Sequence, residues 1–573
     1  MSESRQSPRP IERMIGASAY RAPPPPTPVD LRLDGNEGAA PGPELLVELA
    51  RLGPEALRRY PDPWAFEAEL AAQLGVAPER VLVTAGGDDA IDRICRAYLE
   101  PGRELVMPVP SFEMFPRYVR LAGGRVVEVD WPAGPFPVEA VLAACGPATA
   151  VVTVVSPNNP TGAVATPEAV QRLAAERPDV LLLVDLAYAE FAEQDLTAVC
   201  LELPNAVVVR SLSKAWGLAG LRVGYAVGPT EAVSALRAAG NPYAVARPSL
   251  ALAGLRLERD GERVERFIER VRQERWALAG LLDELGCAPL PSQANFVLAR
   301  HRDPAWLRQA LAGQGIAVRA WPGRQRLADR VRITCPGEPA AYSRLERALR
   351  VALSPEALLF DMDGVLADVS TSYREAIRRT AAEFGVELDA ATIAAAKAEP
   401  DANNDWRVTR RLLARRGVEV GLDEVTRRFE AHYQGGPDRP GLRERERLIP
   451  DVEQLRRLAG IWQLGVVTGR PRADAERFLH QAGVDELFAA LVCMEDAAAK
   501  PDPEPVALAC SKLGVERAWM LGDAPDDLRA ARAAGVLPLG VRAPGDPQAV
   551  DEKLLAAGAG RVLGSLDELE ELL

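Results

Sequence analysis

Short apolar runs that end in a reactive polar residue constrain this chain more than any other feature, and they occur in two series. From residue 60 onward RVLVTAG, RELVMPV, TAVVTVVSP, DVLLLVD, NAVVVRS and GLRVGYAVG alternate with helical segments. Runs this apolar and this rich in β-branched residues suit strands covered on both faces, so they predict a largely parallel α/β sheet. A helical stretch near 255–286, followed by NFVLAR, GIAVRA and RVRITC, predicts a smaller α+β lobe. The second series starts near 355 with ALLFDMDG and continues with WQLGVVTG and RAWMLGD, around a polar, mostly helical insertion.

At 573 residues the chain exceeds what one hydrophobic core serves. The expected organisation is a proline-rich arm over 1–30 and two modules. The first spans 31–352, with a large part about 55–240 and a small part from 31–54 and 241–352. The second spans 355–573, with a core of 355–372 and 451–573 and a helical cap of about 373–450. The net charge of -13 argues against a nucleic-acid partner. Seven cysteines without tight spacing and three histidines offer little to a zinc site. No stretch has the length and apolarity of a membrane span, and MSESRQSPRP has no apolar signal core, so the expected location is the cytoplasm.

Lys214 follows the strand run VVVRS, between Ser213 and a glycine-rich turn. Asp185 ends DVLLLVD, where an unpaired carboxylate would lose several kcal/mol on burial, so it calls for a cation. A protonated pyridine nitrogen is one. Arg222, Ser211 and the Gly86–Gly87 turn offer a guanidinium, a hydroxyl and helix-end amides to one phosphate. Asn159 and Tyr188 can hydrogen-bond a ring oxygen, and Phe112 can stack on the ring. Together these groups specify pyridoxal phosphate held as a Schiff base.

The order NNPTG, D-x-x-Y, SLSKxxxLAGLRxG, with RYPDP at 59–63 and RVRIT at 330–334, resembles the fold-type I aminotransferases, in their histidinol-phosphate aminotransferase-like group. The resemblance covers roughly residues 15–352. It implies that Lys214 carries the cofactor and moves the proton, that Asp185 keeps the ring nitrogen protonated, and that Asn159 and Tyr188 tune the ring oxygen. It assigns the phosphate to Arg222, Ser211 and Ser213, and Tyr60 to the partner subunit's cofactor in a homodimer. Arg332 grips the substrate's anionic end, with Asn36, Arg319 and Tyr20 as further substrate contacts. An amino donor and a 2-oxo acid acceptor are the implied partners. The chain departs from the pattern at Ala85, at Phe112 and in DGNEGAA, so aromatic amino acids and another phosphorylated amine stay open as substrates.

In the second module Asp361 and Asp363 lie two apart directly after ALLF. At a strand-to-turn junction one carboxylate can attack phosphorus while the other handles the proton. Thr468 ends GVVTG and can bind a phosphoryl oxygen; Lys500 can balance developing charge. Asp523 and Asp527 of GDAPDD, with Asp361 and Asp363, form a hard oxygen site for Mg²⁺. This set resembles the haloacid dehalogenase-like hydrolases, with a Rossmann-like core and a helical cap, over about 355–573. The resemblance implies hydrolysis of a small phosphomonoester through a phospho-aspartate, with Trp406, Arg407 and Arg410 as cap candidates. A lyase or decarboxylase on the same lysine scaffold, a phosphatase for an unrelated metabolite, and a non-catalytic dimerisation or regulatory second module are the alternatives.

Overall fold

The computed structural model describes residues 11–14, 19, 25–397, 399, 404–436 and 439–573. The chain folds as two compact units. One is built mainly from Leu33–Pro304 and Arg319–Ser343; the other gathers 25–32, Ala305–Val318 and Arg344–Leu573.

The first unit holds a seven-stranded sheet: β1 (Val81–Thr84), β2 (Glu104–Val109), β3 (Arg125–Asp130), β4 (Thr149–Val155), β5 (Leu181–Asp185), β6 (Ala206–Ser211) and β7 (Gly224–Val227), in the order β1-β7-β6-β5-β4-β2-β3. Only β7 runs antiparallel to its neighbours. Successive residues enter opposite layers: Val106, Val152, Val184 and Val208 on one face, Leu105, Val151, Leu183 and Val209 on the other. That is why these strands read as unbroken apolar runs. All six runs singled out in the sequence form strands here; the seventh strand, RVVEVD, is an edge strand with exposed Arg125, Glu128 and Asp130 and carries no such run. A four-stranded antiparallel sheet follows: β8 (Ala288–Pro289), β9 (Phe296–Arg300), β10 (Arg319–Ala320) and β11 (Arg330–Thr334), in the order β10-β11-β9-β8. Helix α1 (Gly87–Tyr98) begins one turn beyond β1.

The second unit is a parallel six-stranded sheet. Its strands are β12 (Ala357–Phe360), β15 (Gln463–Val467), β16 (Phe488–Val492), β17 (Ala518–Gly522), β18 (Leu537–Val541) and β19 (Arg561–Leu563), in the order β16-β15-β12-β17-β18-β19. Between β12 and β15 the chain leaves through β13 (Ala367–Asp368) and returns through β14 (Arg447–Leu448), which pair antiparallel. The excursion carries helices α2 (Tyr373–Glu383), α3 (Ala390–Lys397), α4 (Asp405–Arg415) and α5 (Leu422–Gln434). The same unit contains Trp306, whose ring meets Trp519 of β17 edge-on at 5.2 Å. Trp519 Nε1 donates to Val351 O at 2.7 Å, and Thr27 Oγ1 donates to Ala559 O at 2.6 Å. Among the described residues no helix is long and apolar enough to cross a membrane.

Candidate active sites

In the first unit the predicted polar residues gather where β1, β2, β4, β5 and β6 end, the usual ligand mouth of such a sheet. Asp185 closes β5, all of whose residues are buried. Its Oδ1 accepts from Ala187 N at 3.0 Å. Burial nevertheless pushes its pKa up to about 6; the Ala187 N–H and the charge of Lys214 pull the other way. Lys214, two residues past Leu212 beyond β6, donates to Gly35 O at 3.1 Å and lies 5.7 Å from the Tyr188 ring centre. It is the only lysine in residues 34–349, where the remaining fixed cations are arginines.

Arg222 stands in the left-handed region, φ 53°, and reaches Asp88 Oδ2 at 3.2 Å. It faces the turn at Gly86, whose φ of 78° favours glycine and where a Cβ would lie 2.6 Å from Arg222 Nη2. Gly87 then starts α1. Ser211 Oγ accepts from Ser213 N at 3.2 Å; the buried Ser213 hydroxyl has no hydrogen-bond partner among the described residues. Asn36 Nδ2 donates to Tyr188 OH at 2.9 Å, and Thr334 Oγ1 donates to Asn36 Oδ1 at 2.8 Å. Arg332, on β11, donates to Asn159 Oδ1 and to Asp34 O at 2.7 Å. Its buried Nε lacks a hydrogen-bond partner among the described residues. Phe112 packs edge-on against Phe115. A buried acid short of a cation at one end, and hydroxyls, a guanidinium and a helix start at the other, fit the ring nitrogen and phosphate of pyridoxal phosphate.

Of the remaining predicted residues Tyr60 stands apart from this group, whereas Arg319 is the cross-strand partner of Arg332 on β10 and β11. Arg319 is engaged by Glu113 at 3.1 Å, which also takes Arg324 at 2.7 Å. Tyr60 is 77% exposed and stacked on Tyr243 at 4.6 Å. Tyr20 lies outside the described residues.

In the second unit Asp361 follows β12, Thr468 follows β15 and Asp523 follows β17, so three adjacent strands deliver their groups to one edge. Lys500 Nζ lies 2.7 Å from Asp361 Oδ1 and 2.5 Å from Asp527 Oδ1, and it donates to Val467 O at 3.1 Å. Carboxylate oxygens of Asp361, Asp523 and Asp527 all lie within 4.8 Å of one another. Burial, more than the neighbouring lysine can offset, pushes Asp361 up to about 7, with repulsion from Asp527 and Asp363 adding to it. Asp523 is driven well above the ordinary carboxylate range by burial and then by Asp361 and Asp527. Three converging carboxylates around one lysine fit a hard divalent cation such as Mg²⁺. Gly364, φ 75°, leaves room for Asp523 Oδ2 where a Cβ would overlap it.

Asp363, expected among the metal ligands, lines the same cavity but falls outside that carboxylate group because Arg470 engages it. Its Oδ1 accepts from Arg470 Nε at 2.6 Å. Arg470 is 1% exposed and also donates to Glu446 Oε2 at 2.8 Å. The cavity above the aspartates is lined by Arg470 and, from the excursion, Tyr373, Lys397, Asn404, Asp405 and Trp406. Lys397 Nζ lies 2.9 Å from Asp405 Oδ1; against the penalty of burial, Asp405, Asp523 and Asp363 hold it charged. Of the cap candidates Trp406 faces this cavity, whereas Arg407 and Arg410 are exposed. Sequence patterns alone did not single out Arg470, Lys397 or Asp405. The one available signal was an arginine two residues past Thr468, at the end of a buried strand.

A lysine facing a buried acid at one sheet mouth, and an aspartate cluster at another, define a chain of two enzyme modules. Residues 34–349 match the family described as aminotransferase class I and II, and the chain belongs to it. Residues 355–535 match the family described as haloacid dehalogenase-like hydrolase. The chain therefore joins a pyridoxal phosphate-dependent aminotransferase module to a haloacid dehalogenase-like hydrolase module. A histidinol-phosphate aminotransferase of Paramagnetospirillum magneticum is 36% identical over 322 residues, 53% of this chain and 86% of that protein. An imidazoleglycerol-phosphate dehydratase of Phytophthora nicotianae is 43% identical over 235 residues, 38% of this chain; the match takes in only 52% of that protein. The solved histidinol-phosphate aminotransferase of Sinorhizobium meliloti, in complex with pyridoxal-5'-phosphate, is 25% identical with a TM-score of 0.53, covering 61% of this chain and 98% of that one.

Proposed function

We propose that the first module transaminates an amino-alcohol phosphate of the histidinol-phosphate kind with a 2-oxo acid, and that the second hydrolyses a small phosphomonoester. Histidinol phosphate keeps its ester through transamination, so the first reaction leaves a group of the class the second removes. The relative named histidinol-phosphate aminotransferase supports the substrate class. The observation that carries the reading of the first site is Lys214, alone among lysines in the family match and placed beside Tyr188.

Pyridoxal phosphate, when bound, supplies an electron sink for the carbon that bears the amino group. Lys214 Nζ would carry the proton between that carbon and the cofactor's own carbon, the shift that transamination requires. The buried Asp185 carboxylate would pair with the protonated ring nitrogen, which would offset its burial and hold it ionised. Arg222, Ser211 and the start of α1 hold the phosphate, Asn159 and Tyr188 the ring oxygen, and Arg332 the substrate's anionic end. Exposed Tyr60 suits a role across a homodimer interface.

At the second site Asp361 attacks phosphorus and the ester P–O bond breaks. The leaving oxygen takes a proton from Asp363. Water then attacks the phospho-aspartate and gives its proton to Asp363, which releases phosphate and restores Asp361. Thr468 and Lys500 hold phosphoryl oxygens. Asp361, Asp523 and Asp527 would hold Mg²⁺, which would balance charge there. Histidinol phosphate with 2-oxoglutarate, and phosphate release from the same ester, are to be measured on one preparation. Borohydride reduction of the loaded protein should label the Lys214 peptide alone. Label elsewhere, or no turnover of a phosphorylated amine, would sink the reading.

A further inference from the structure

We infer that Arg470 is a positioning residue for the phosphatase reaction, holding Asp363 ready for proton transfer and tying it to the helical excursion through Glu446. The inference rests on the phosphatase reading above. Arg470 leaves the loop after β15 fully buried, sandwiched against Tyr373 at 4.9 Å and Phe478 at 5.4 Å. Its Nε donates to Asp363 Oδ1 at 2.6 Å, and Nη2 lies 2.6 Å from the same oxygen without a hydrogen bond's directionality. One carboxylate oxygen is therefore clamped by the guanidinium. Oδ2 is left as the atom to carry the transferable proton, on a side chain that lines the cavity beside Asp361.

The other end of Arg470 reaches the excursion. Glu446, 3% exposed, precedes β14, where the chain returns to the sheet. Its Oε2 accepts from Arg470 Nη1 at 2.8 Å; its Oε1 accepts from Ser372 Oγ at 2.9 Å and Tyr433 OH at 3.1 Å. Ser372 stands where the chain enters α2, and Tyr433 lies in the last turns of α5. A continuous polar chain thus runs from both ends of the excursion through Glu446 and Arg470 to Asp363. Substrate contacts that settle the excursion settle the proton donor with it. The donated proton passes from Asp363 Oδ2 to the leaving oxygen as the P–O bond breaks, and water returns it in the second half.

Leaving-group dependence separates this role from a merely structural one, because 4-nitrophenolate departs without a proton and an alkoxide does not. Arg470→Lys in the full chain should lower kcat/KM, which ends at departure of the leaving group and so omits the later water step, by about 10²-fold on propyl phosphate and by less than about threefold on 4-nitrophenyl phosphate. Glu446→Gln should show the same asymmetry at about tenfold, and it decides the matter if Arg470→Lys does not fold. In an Asp363→Asn background Arg470→Lys should add less than about twofold. Equal losses on both esters, or full additivity with Asp363→Asn, would overturn the coupling alone. A wild type that hydrolyses neither ester, or Asp363→Asn without the asymmetry, would bring down the phosphatase reading and this inference together.

Discussion

Asp185 and Asp361 both end buried strands at the mouth of a parallel sheet, yet their surroundings solve the charge problem differently. Asp185 has a backbone N–H and only a minor pull from Lys214, so its pKa rests near 6. Asp361 is hydrogen-bonded to Lys500, and still rises to about 7 because burial is compounded by Asp527 and Asp363. One site lacks a single positive charge, which a pyridinium supplies. The other has a built-in cation outnumbered by carboxylates, which calls for a divalent ion. A fixed lysine means different things in each: Lys214 has no carboxylate partner among the described residues and is the group proposed to react, whereas Lys500 is a counter-charge held by two aspartates.

The sharpest break between the two sites is expected from their lysines and nucleophiles. Lys214→Ala should abolish transamination and the visible absorbance of lysine-bound pyridoxal while phosphate release continues; an unchanged spectrum contradicts the assignment. Asp361→Asn should remove phosphatase activity by at least about 10⁴-fold and leave the visible spectrum intact. Chelation should silence the wild-type phosphatase and added Mg²⁺ restore it, with transamination unaffected; full activity in metal-free protein would refute the three-carboxylate site.

A smaller effect should appear in stability. A carboxyl whose folded pKa is raised carries no penalty below its ordinary value near 4 and the full penalty above about 6. Cofactor-free wild type should therefore weaken more steeply than Asp185→Asn as pH rises through that window, since the other raised carboxyls are common to both. At pH 8 the variant should be the more stable by up to about 3 kcal/mol, with no gap near pH 4, as urea unfolding would report. A gap that does not change with pH would show that Asp185 finds its compensation elsewhere. The smallest change is expected on the excursion's outer face: Arg407→Ala and Arg410→Ala should alter phosphatase kcat/KM by less than about twofold, because exposed positions contribute little. Trp406→Ala, facing the cavity, should raise KM several-fold more than either.

Lys214, Asp185, Asp361 and Asp523 were legible because each sits where a fully buried strand ends, and burial makes a strand apolar and its terminal charge conspicuous. What stayed hidden depends on pairing between distant positions. Arg470 finds Asp363 across 107 residues, and Asn36 finds Tyr188 across 152, so neither pair leaves a local pattern. The Asp363 side chain illustrates the limit well: the two-apart spacing brings it to the right edge, but an unseen arginine decides which way it turns. In the excursion Lys397 and Asp405 are buried while Arg407 and Arg410 are exposed, a distinction set by which helix face meets the cavity. The dearth of lysine in a chain this rich in arginine was an available and stronger clue to Lys214 than its neighbours.

The Trp306–Trp519 contact bears on how such a gene can be rearranged. A recombination point between residues 351 and 355 respects the border between the two family matches, but it parts Trp519 from Trp306 and from the Val351 carbonyl that its indole N–H uses. It also strips the Ala559 carbonyl of the Thr27 hydroxyl. A hydrolase gene released there would encode a sheet with an uncovered indole and unmet polar groups, and shuffling at that border would be selected against. Such aromatic and polar contacts give folding a stake in keeping the gene joined, separate from any need for the two reactions to travel together.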